Sequence, residues 1–184
     1  MKQLKQISNS IFTVSEFFTP AECSAYIELT EGIGYSDAPI TTSWGPQHCP
    51  EVRNNTRVMI DDESRAITLW DRAREFVSDW DEHWSPMGLN ERFRFYRYEI
   101  GQQFNWHYDD CYERKNGERS WLTFMIYLNS EFEGGQTVFE HTSVAPETGM
   151  ALFFVHDLKH KGHAVSSGRK YVLRSDVMYQ YQAR

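Results

Sequence analysis

From Glu91 onward the chain is a run of short alternating segments separated by turn residues, and this pattern limits the possible fold more than any other feature. Residues 92–100, RFRFYRYEI, alternate charge with rings, the two-residue period of a strand whose faces differ. Further strands are predicted at 104–108, 120–128, 136–139, 150–155, about 160–165 and 170–181. Gly101, Asn129, Gly134-Gly135, the PETG of 146–149 and Ser167-Gly168 punctuate them. These residue types accept the sharp or positive-φ backbone of turns. Many short strands with turns at this density pack as a sandwich or jelly-roll barrel.

The N-terminal half reads differently. Residues 11–17 alternate as a short strand, and Thr19-Pro20-Ala21-Glu22 then marks a helix start. Thr19 is the N-cap, Pro20 sits at the first helical position, and Glu22 completes a capping box. That helix is expected to end near Glu31, before Gly32 and Gly34, with Cys23, Ala25, Tyr26 and Ile27 inward. Residues 35–54, broken by Pro39, Gly45, Pro46 and Pro50, read as an irregular loop beside a binding site. Arg53, Asn54, Asn55 and Arg57 either line a cleft or form a solvated edge, and a strand follows at 56–60. Asp61 or Asp62 caps a second helix whose stripe is Ala66, Leu69, Trp70, Ala73, Phe76, Val77 and Trp80. Such a stripe packs on the back of a sheet; Trp84, Pro86 and Gly88 fall in the loop beyond it.

Chain length and charge narrow the function. A chain of 184 residues suits one domain, with 1–90 as a helical and strand support region and 91–184 as the jelly-roll core. A formal net charge of −7 argues against a nucleic-acid partner, since phosphate neutralisation needs a basic surface. Cys23, Cys49 and Cys111 are odd in number, widely spaced and form no CxxC, which suits a reducing compartment. The N-terminal segment lacks the apolar core of a secretory signal. The longest apolar run, 150–155, is far shorter than the roughly 20 residues of a membrane helix. The expectation is a cytoplasmic protein without a membrane partner, of unread oligomeric state.

Chemistry centres on FNWHYDD at 104–110. On a strand, His107 and Asp109 share one face and together present an imidazole and a carboxylate to one small cation. A second His about fifty residues on would complete a two-His, one-carboxylate set, the mark of non-haem Fe(II) oxygenases. His156, His160 and His163 compete for that place, and His160 has the best context because it opens a strand. His163 would point to the opposite face, and His156 adjoins Asp157 in a loop. A bidentate 2-oxo acid on the metal needs a cation for its far carboxylate, and Lys170 returns toward the metal on the next strand. Tyr127, sharing a face with Thr123 and Met125, offers a phenol, and Tyr98 another nearer the metal. Arg174, on the face of Lys170, can pair with Asp109 or with the co-substrate. The high aromatic content, 15% and including Trp106, Trp121 and Phe153, is expected to keep water from the centre.

With these residues in place, the chain resembles the Fe(II)/2-oxoglutarate dioxygenases, in their prolyl 4-hydroxylase-like branch. The resemblance lies in YEIGQQFNWHYDD, RSWLTFMIYLN, EGGQTVF, VAPETGMALFF and HKGHAVSSGRKYV, about two fifths of the chain, with FFTPAEC near the start. It implies a double-stranded β-helix with helices packed on one sheet. It implies Fe(II) on His107, Asp109 and His160, and 2-oxoglutarate on Lys170 with Tyr127 and Tyr98 as hydroxyl partners. Dioxygen is then the second co-substrate, ascorbate a supporting reductant, and the reaction a C–H hydroxylation of a peptidyl, prolyl or small-molecule substrate that releases succinate and carbon dioxide. Phe104 stands where the family often has Tyr, and the span from Asp109 to His160 is short.

Two other readings compete. A cupin-like metal protein would leave Lys170 idle, and a catalytically silent barrel used for protein contacts would need no metal.

Overall fold

Alternation along the central strands divides the interior into two apolar layers, and only one of them holds the polar groups needed for chemistry. The computed structural model describes residues 2–42 and 44–183, so Ser43 of the expected loop lies outside the described residues. The chain opens with β1 (Gln3–Ser8), β2 (Ile11–Ser15) and helix α1 (Pro20–Ile33), followed by β3 (Ser36–Asp37), β4 (Ile40–Thr42), β5 (Gly45–Gln47) and β6 (Thr56–Asp61). Helix α2 (Glu63–Ala73), β7 (Trp84–Leu89) and β8 (Arg92–Tyr98) come next. The remainder is β9 (Phe104–His107), β10 (Arg119–Tyr127), β11 (Phe132–Gly134), β12 (Thr137–Phe139), β13 (Ser143–Val144), β14 (Ala151–Val155), β15 (His160–Gly162), β16 (Val165–Gly168) and β17 (Lys170–Tyr181).

A nine-stranded antiparallel sheet runs β1-β2-β14-β10-β17-β8-β6-β3, with β7 on the far half of β17. A four-stranded sheet runs β13-β12-β15-β9, and β11-β16 and β4-β5 form two small ribbons. The fold is the double-stranded β-helix, mainly β with N-terminal helices against one sheet. On the helix side, Phe93, Phe95, Phe124, Ile126, Phe153 and Leu173 pack with Cys23, Ala66, Leu69 and Ala73. On the opposite side, Tyr96, Tyr98, Met125, Tyr127, Phe154 and Val172 pack with Phe139 and Phe104 of the smaller sheet. Neighbours such as Phe153 and Phe154 enter different layers because successive strand residues point oppositely.

Helix α1 begins as expected: the Thr19 hydroxyl accepts from the Glu22 amide at 3.2 Å, and the Glu22 carboxylate accepts from the Thr19 amide at 2.9 Å. Ala25 is exposed, whereas Cys23 and Thr30 are buried. Asp62 caps α2 by accepting from the Arg65 amide at 2.8 Å. This helix ends at Ala73 and tightens into a three-residue turn, Arg74–Phe76, so Val77 and Trp80 lie beyond it. Trp80 leaves the helical stripe to stack on Trp121, with centroids 5.2 Å apart. Residues 84–89 form a strand and not a loop; Pro86 is accommodated where the register against β17 shifts. The segment expected to be irregular at 35–54 contains the short strands β3, β4 and β5, and the strand expected at 160–165 is two, β15 and β16.

Candidate metal centre

β9 and β15 pair with His107 directly across from His160, so the register brings the two imidazoles together. Asp109 follows just beyond β9, and its amide donates to the His156 carbonyl at 3.2 Å. One ligand atom each from His107, Asp109 and His160 lies within 4.8 Å of the others. The two His Nε2 atoms sit 3.7 Å from different oxygens of Asp109.

Hydrogen bonds fix which nitrogen faces inward. His107 Nδ1 is 2.7 Å from the Asn105 carbonyl, and His160 Nδ1 is 2.9 Å from the Leu158 carbonyl. A carbonyl only accepts, so each Nδ1 carries the proton and each Nε2 turns a lone pair to the centre. Burial, helped by His160, pushes the His107 imidazolium down to about 3, and burial lowers His160 as well. Both rings are therefore neutral at physiological pH. Burial pulls the Asp109 carboxyl upward, but Arg174, His160, His107 and the Thr123 hydroxyl outweigh it and hold the group ionised far below the usual range. Phe104 stacks on His107 with centroids 3.5 Å apart, and Phe154 meets His160 edge-on at 4.6 Å.

A relay stands behind the carboxylate. The Tyr112 amide donates to Ser120 Oγ at 2.8 Å, and Ser120 Oγ donates to His156 Nε2 at 2.9 Å. His156 Nδ1 donates to Thr123 Oγ1 at 3.0 Å, and Thr123 gives its one hydroxyl proton to Asp109 Oδ2. An ionised carboxylate can only accept, which sets this direction. His156 is 6% exposed, and burial keeps it neutral. It is therefore a support for Asp109, placed in the turn that follows β14, where the sequence puts it. The parity that puts Thr123 on the face of Tyr127 was the one signal in the sequence for this link.

Lys170, Arg174 and Tyr98 line an inner cavity of about 40 Å³ with His107, Asp109 and His160. Lys170 is 2% exposed, donates to the Gly135 carbonyl at 2.6 Å, and lies 5.1 and 5.5 Å from the Tyr98 and Tyr127 ring centres. Burial alone brings its ammonium down to about 7. The Tyr127 hydroxyl is bonded to Thr137 Oγ1 at 2.7 Å, so Tyr127 stands behind Lys170 while Thr137 forms part of the cavity wall. Arg174 joins Asp109 Oδ1 at 2.7 Å and Asp176 Oδ1 at 3.3 Å, the first of the two pairings open to it. A wider cleft of about 290 Å³ shares His107, Asp109 and Arg174 with this cavity and adds Arg53, Arg57 and Arg94. Arg53 and Arg57 are thus cleft residues, not solvated edge.

The rings expected to screen the centre are elsewhere. Trp106 is 39% exposed, Trp121 stacks on Trp80, and Phe153 stacks on Phe12 in the helix-side layer. Tyr96, Tyr98, Phe104 and Phe154 form the wall instead. His163 is exposed, its Nδ1 on the Ala164 carbonyl.

Two neutral imidazoles and one ionised carboxylate converging on a point fit a ferrous ion that keeps open positions. Among the described residues the buried Lys170 ammonium meets a neutral carbonyl and two tyrosine rings but no carboxylate, and such a group fits a carboxylate ligand.

Comparison with known proteins agrees with this chemistry. Residues 93–175 match the 2OG-Fe(II) oxygenase superfamily. The chain is 25% identical over 147 residues to probable prolyl 4-hydroxylase 4 of Arabidopsis thaliana, covering 77% of this chain and 48% of that protein. It is 29% identical over 126 residues to probable prolyl 4-hydroxylase 10 of the same plant, covering 67% and 42%. A putative prolyl 4-hydroxylase of Acanthamoeba polyphaga mimivirus is 24% identical over 187 residues, covering 89% and 72%. The chain thus spans about half the length of the plant relatives. Among solved structures, the viral collagen prolyl hydroxylase of Paramecium Bursaria Chlorella virus-1, a 2OG complex, superposes with a TM-score of 0.66 at 20% identity over 93% of this chain and 97% of that one. A Trichoplax adhaerens prolyl hydroxylase in complex with a hypoxia inducible factor peptide fragment gives 0.69 at 15% identity over 92% and 84%.

Proposed function

We propose, for a chain that belongs to the 2OG-Fe(II) oxygenase superfamily and is prolyl 4-hydroxylase-like within it, the activity of a hydroxylase acting on a peptidyl or small-molecule C–H bond. The observation that carries this reading is the meeting of His107, Asp109 and His160 beside a buried Lys170 in one cavity. Fe(II) would be held by the two Nε2 atoms and the Asp109 carboxylate. With 2-oxoglutarate and dioxygen, the bound iron supplies oxidative decarboxylation to succinate and carbon dioxide coupled to insertion of one oxygen atom into the substrate.

The chain's own groups have definable tasks. His107 and His160 present lone pairs without first losing a proton, because their Nδ1–H groups are held on carbonyls. Thr123 and Arg174 hold Asp109 from two sides and fix its plane. Lys170, with Tyr98 beside it, would take the far carboxylate of 2-oxoglutarate, which restores a counter-charge to a buried cation. Tyr96, Phe104 and Phe154 keep water from the inner cavity. Proline is the first substrate residue to test, since the named relatives are prolyl hydroxylases. Ascorbate as a supporting reductant and a cytoplasmic location belong to the same proposal; three free cysteines are consistent with a reducing compartment. Residues 1–184 are taken as one catalytic unit.

Anaerobic titration with Fe(II) and 2-oxoglutarate should give a visible metal-to-ligand charge-transfer band, and air should then release succinate slowly even without substrate. Absence of both would return the chain to the cupin-like or silent-barrel readings. Loss of the band on His163→Ala but not on His160→Ala would move the third ligand.

A further inference from the structure

In a chain of net charge −7, four guanidinium groups surround the outer cleft: Arg53, Arg57, Arg94 and Arg174. Strand register gathers three of them. Arg57 on β6 pairs with Tyr96 on β8, Arg94 lies two residues before Tyr96, and Arg94 pairs with Arg174 on β17. All three therefore share the face that looks toward the metal centre.

Two of the four are already answered. Arg174 holds Asp109 at 2.7 Å, and Arg94 holds Asp176 at 3.1 Å. Arg53 and Arg57 are not. Arg53 is 5% exposed and clamped between Tyr96 and Phe104, its guanidinium carbon 4.5 and 4.4 Å from the two ring centres. Its Nε donates to the neutral Asn55 Oδ1 at 2.8 Å, while its buried Nη2 has no partner among the described residues. Among the described residues, the Arg57 side chain has neither a hydrogen-bond nor an ion-pair partner. Among the described residues the one carboxylate left in the cleft wall is Asp110, which is exposed. Burial raises the Tyr96 phenol, but Arg53, Arg174 and Arg94 outweigh burial and lower it, so this hydroxyl is the nearest acidic group Arg53 meets. A buried guanidinium nitrogen without an acceptor is costly. Rings and an amide hold this one rigidly in place all the same, which is the form of a site built for a ligand.

We propose that the hydroxylated substrate is an organic anion, one of whose carboxylates docks on Arg53 and Arg57 in the outer cleft. This rests on the hydroxylase reading above and names the substrate class for it. A planar, pre-oriented guanidinium recognises a carboxylate through two parallel N–H donors, and a second one beside it adds charge without new ordering. Because the cleft also has His107 and Asp109 in its wall, a molecule held there by its carboxylate has its remaining atoms beside the metal centre. Lys170 lies in the inner cavity and not in this cleft, so the two anion positions are separate.

The test uses the full chain loaded anaerobically with Fe(II) and 2-oxoglutarate, with binding followed by calorimetry. Four probes form two pairs: acetyl-prolyl-glycine against its C-terminal amide, and acetyl-prolyl-glutamate amide against acetyl-prolyl-glutamine amide. In at least one pair the acid should bind about tenfold tighter or more than its neutral partner. The first pair reports a terminal carboxylate and the second a side-chain carboxylate. Arg57→Gln, at a half-exposed position, should remove most of that difference; Arg53→Gln should do the same and is the variant more exposed to misfolding. Acids and neutral partners behaving alike in both pairs, whether all bind or none does, overturns the proposal. So does discrimination that survives Arg57→Gln. Wild-type protein that takes up neither iron nor 2-oxoglutarate overturns the hydroxylase reading instead, and the loading step detects it before any probe is added.

Discussion

At the scale of single residues, His156 supports the candidate metal site through Thr123 without being one of the three converging side chains. Both of its ring nitrogens are engaged, by Thr123 and Ser120, so it has no lone pair to offer. His156→Leu leaves Thr123 free to rotate and Asp109 less firmly oriented. Iron affinity should fall by about 10–100-fold, as is usual for residues that orient a ligand, whereas His163→Ala should leave it nearly unchanged; the anaerobic charge-transfer titration reads both. Lys170 carries a pH signature. Its ammonium titrates at about 7 when buried, against about 10.4 in an unfolded chain. Between those values the unfolded state binds the extra proton, so stability rises with pH; below the folded value the full cost of a buried charge applies. Lys170→Met should therefore stabilise the protein without co-substrate by a few kcal/mol near pH 6.5 and by much less near pH 10, measured by urea unfolding. A benefit independent of pH would mean the gain comes from packing. His107, Asp109, His160 and Lys170 converge as their order and spacing suggest, but strand parity is not what places Asp109: β9 ends at His107, and the Asp109 amide is held by the His156 carbonyl. The Thr123–His156 link was not legible in the sequence, since it depends on how β10 registers against the end of β14.

At the scale of elements, capping chemistry and turn residues were the readable part. The Thr19–Glu22 box starts α1 where the sequence puts it. Two errors share one cause, the overriding of local signals by tertiary contacts. Pro86 and Gly88 look like breakers, but β17 is long enough to pair with β8 along one half and β7 along the other. The apolar stripe continues in the sequence to Trp80 because an extended chain can also return its rings to the same sheet. The Gly134-Gly135 turn carries more than a reversal of direction. Gly135 has φ +67°, and a Cβ there would lie 2.7 Å from the Phe132 ring and 3.1 Å from Lys170 Cδ. Gly135→Ala should cost about 1–3 kcal/mol in thermal unfolding and raise the 2-oxoglutarate requirement, because its carbonyl is the acceptor for Lys170. A stable variant with an unchanged requirement would separate the turn from the co-substrate.

At the scale of the whole molecule, the large sheet insulates a structural layer from a chemical one. β14 makes this testable with two adjacent residues. Phe153 packs under the helices at 0% exposure, and Phe154, at 1%, abuts His160. Either change to Ala should cost about 3–5 kcal/mol of stability. Only Phe154→Ala should alter the spectrum of bound iron. The same spectral change in both would mean that the layers are coupled through the sheet. The mainly-β architecture and its flanking helices were legible from patterning, because long alternating segments announce buried faces. The identity of the rings around the metal was not: 153 and 154 are equally apolar, and only strand phase tells them apart.

The two imidazoles proposed as ligands, His107 and His160, ride on strands of four and three residues, β9 and β15, whose pairing shifts register within that length. Lys170 and Arg174 stand on a twelve-residue strand inside a nine-stranded sheet. The site is thus a seam between a stiff slab and a light flap. Without iron, deuterium should enter the amides of 104–107 and 160–162 well before those of β10 and β17, in keeping with the lower local stability of short, sparsely bonded segments. Loading the metal would stitch the flap down, and its mark should be slowed exchange at those few amides more than a higher melting point of the slab.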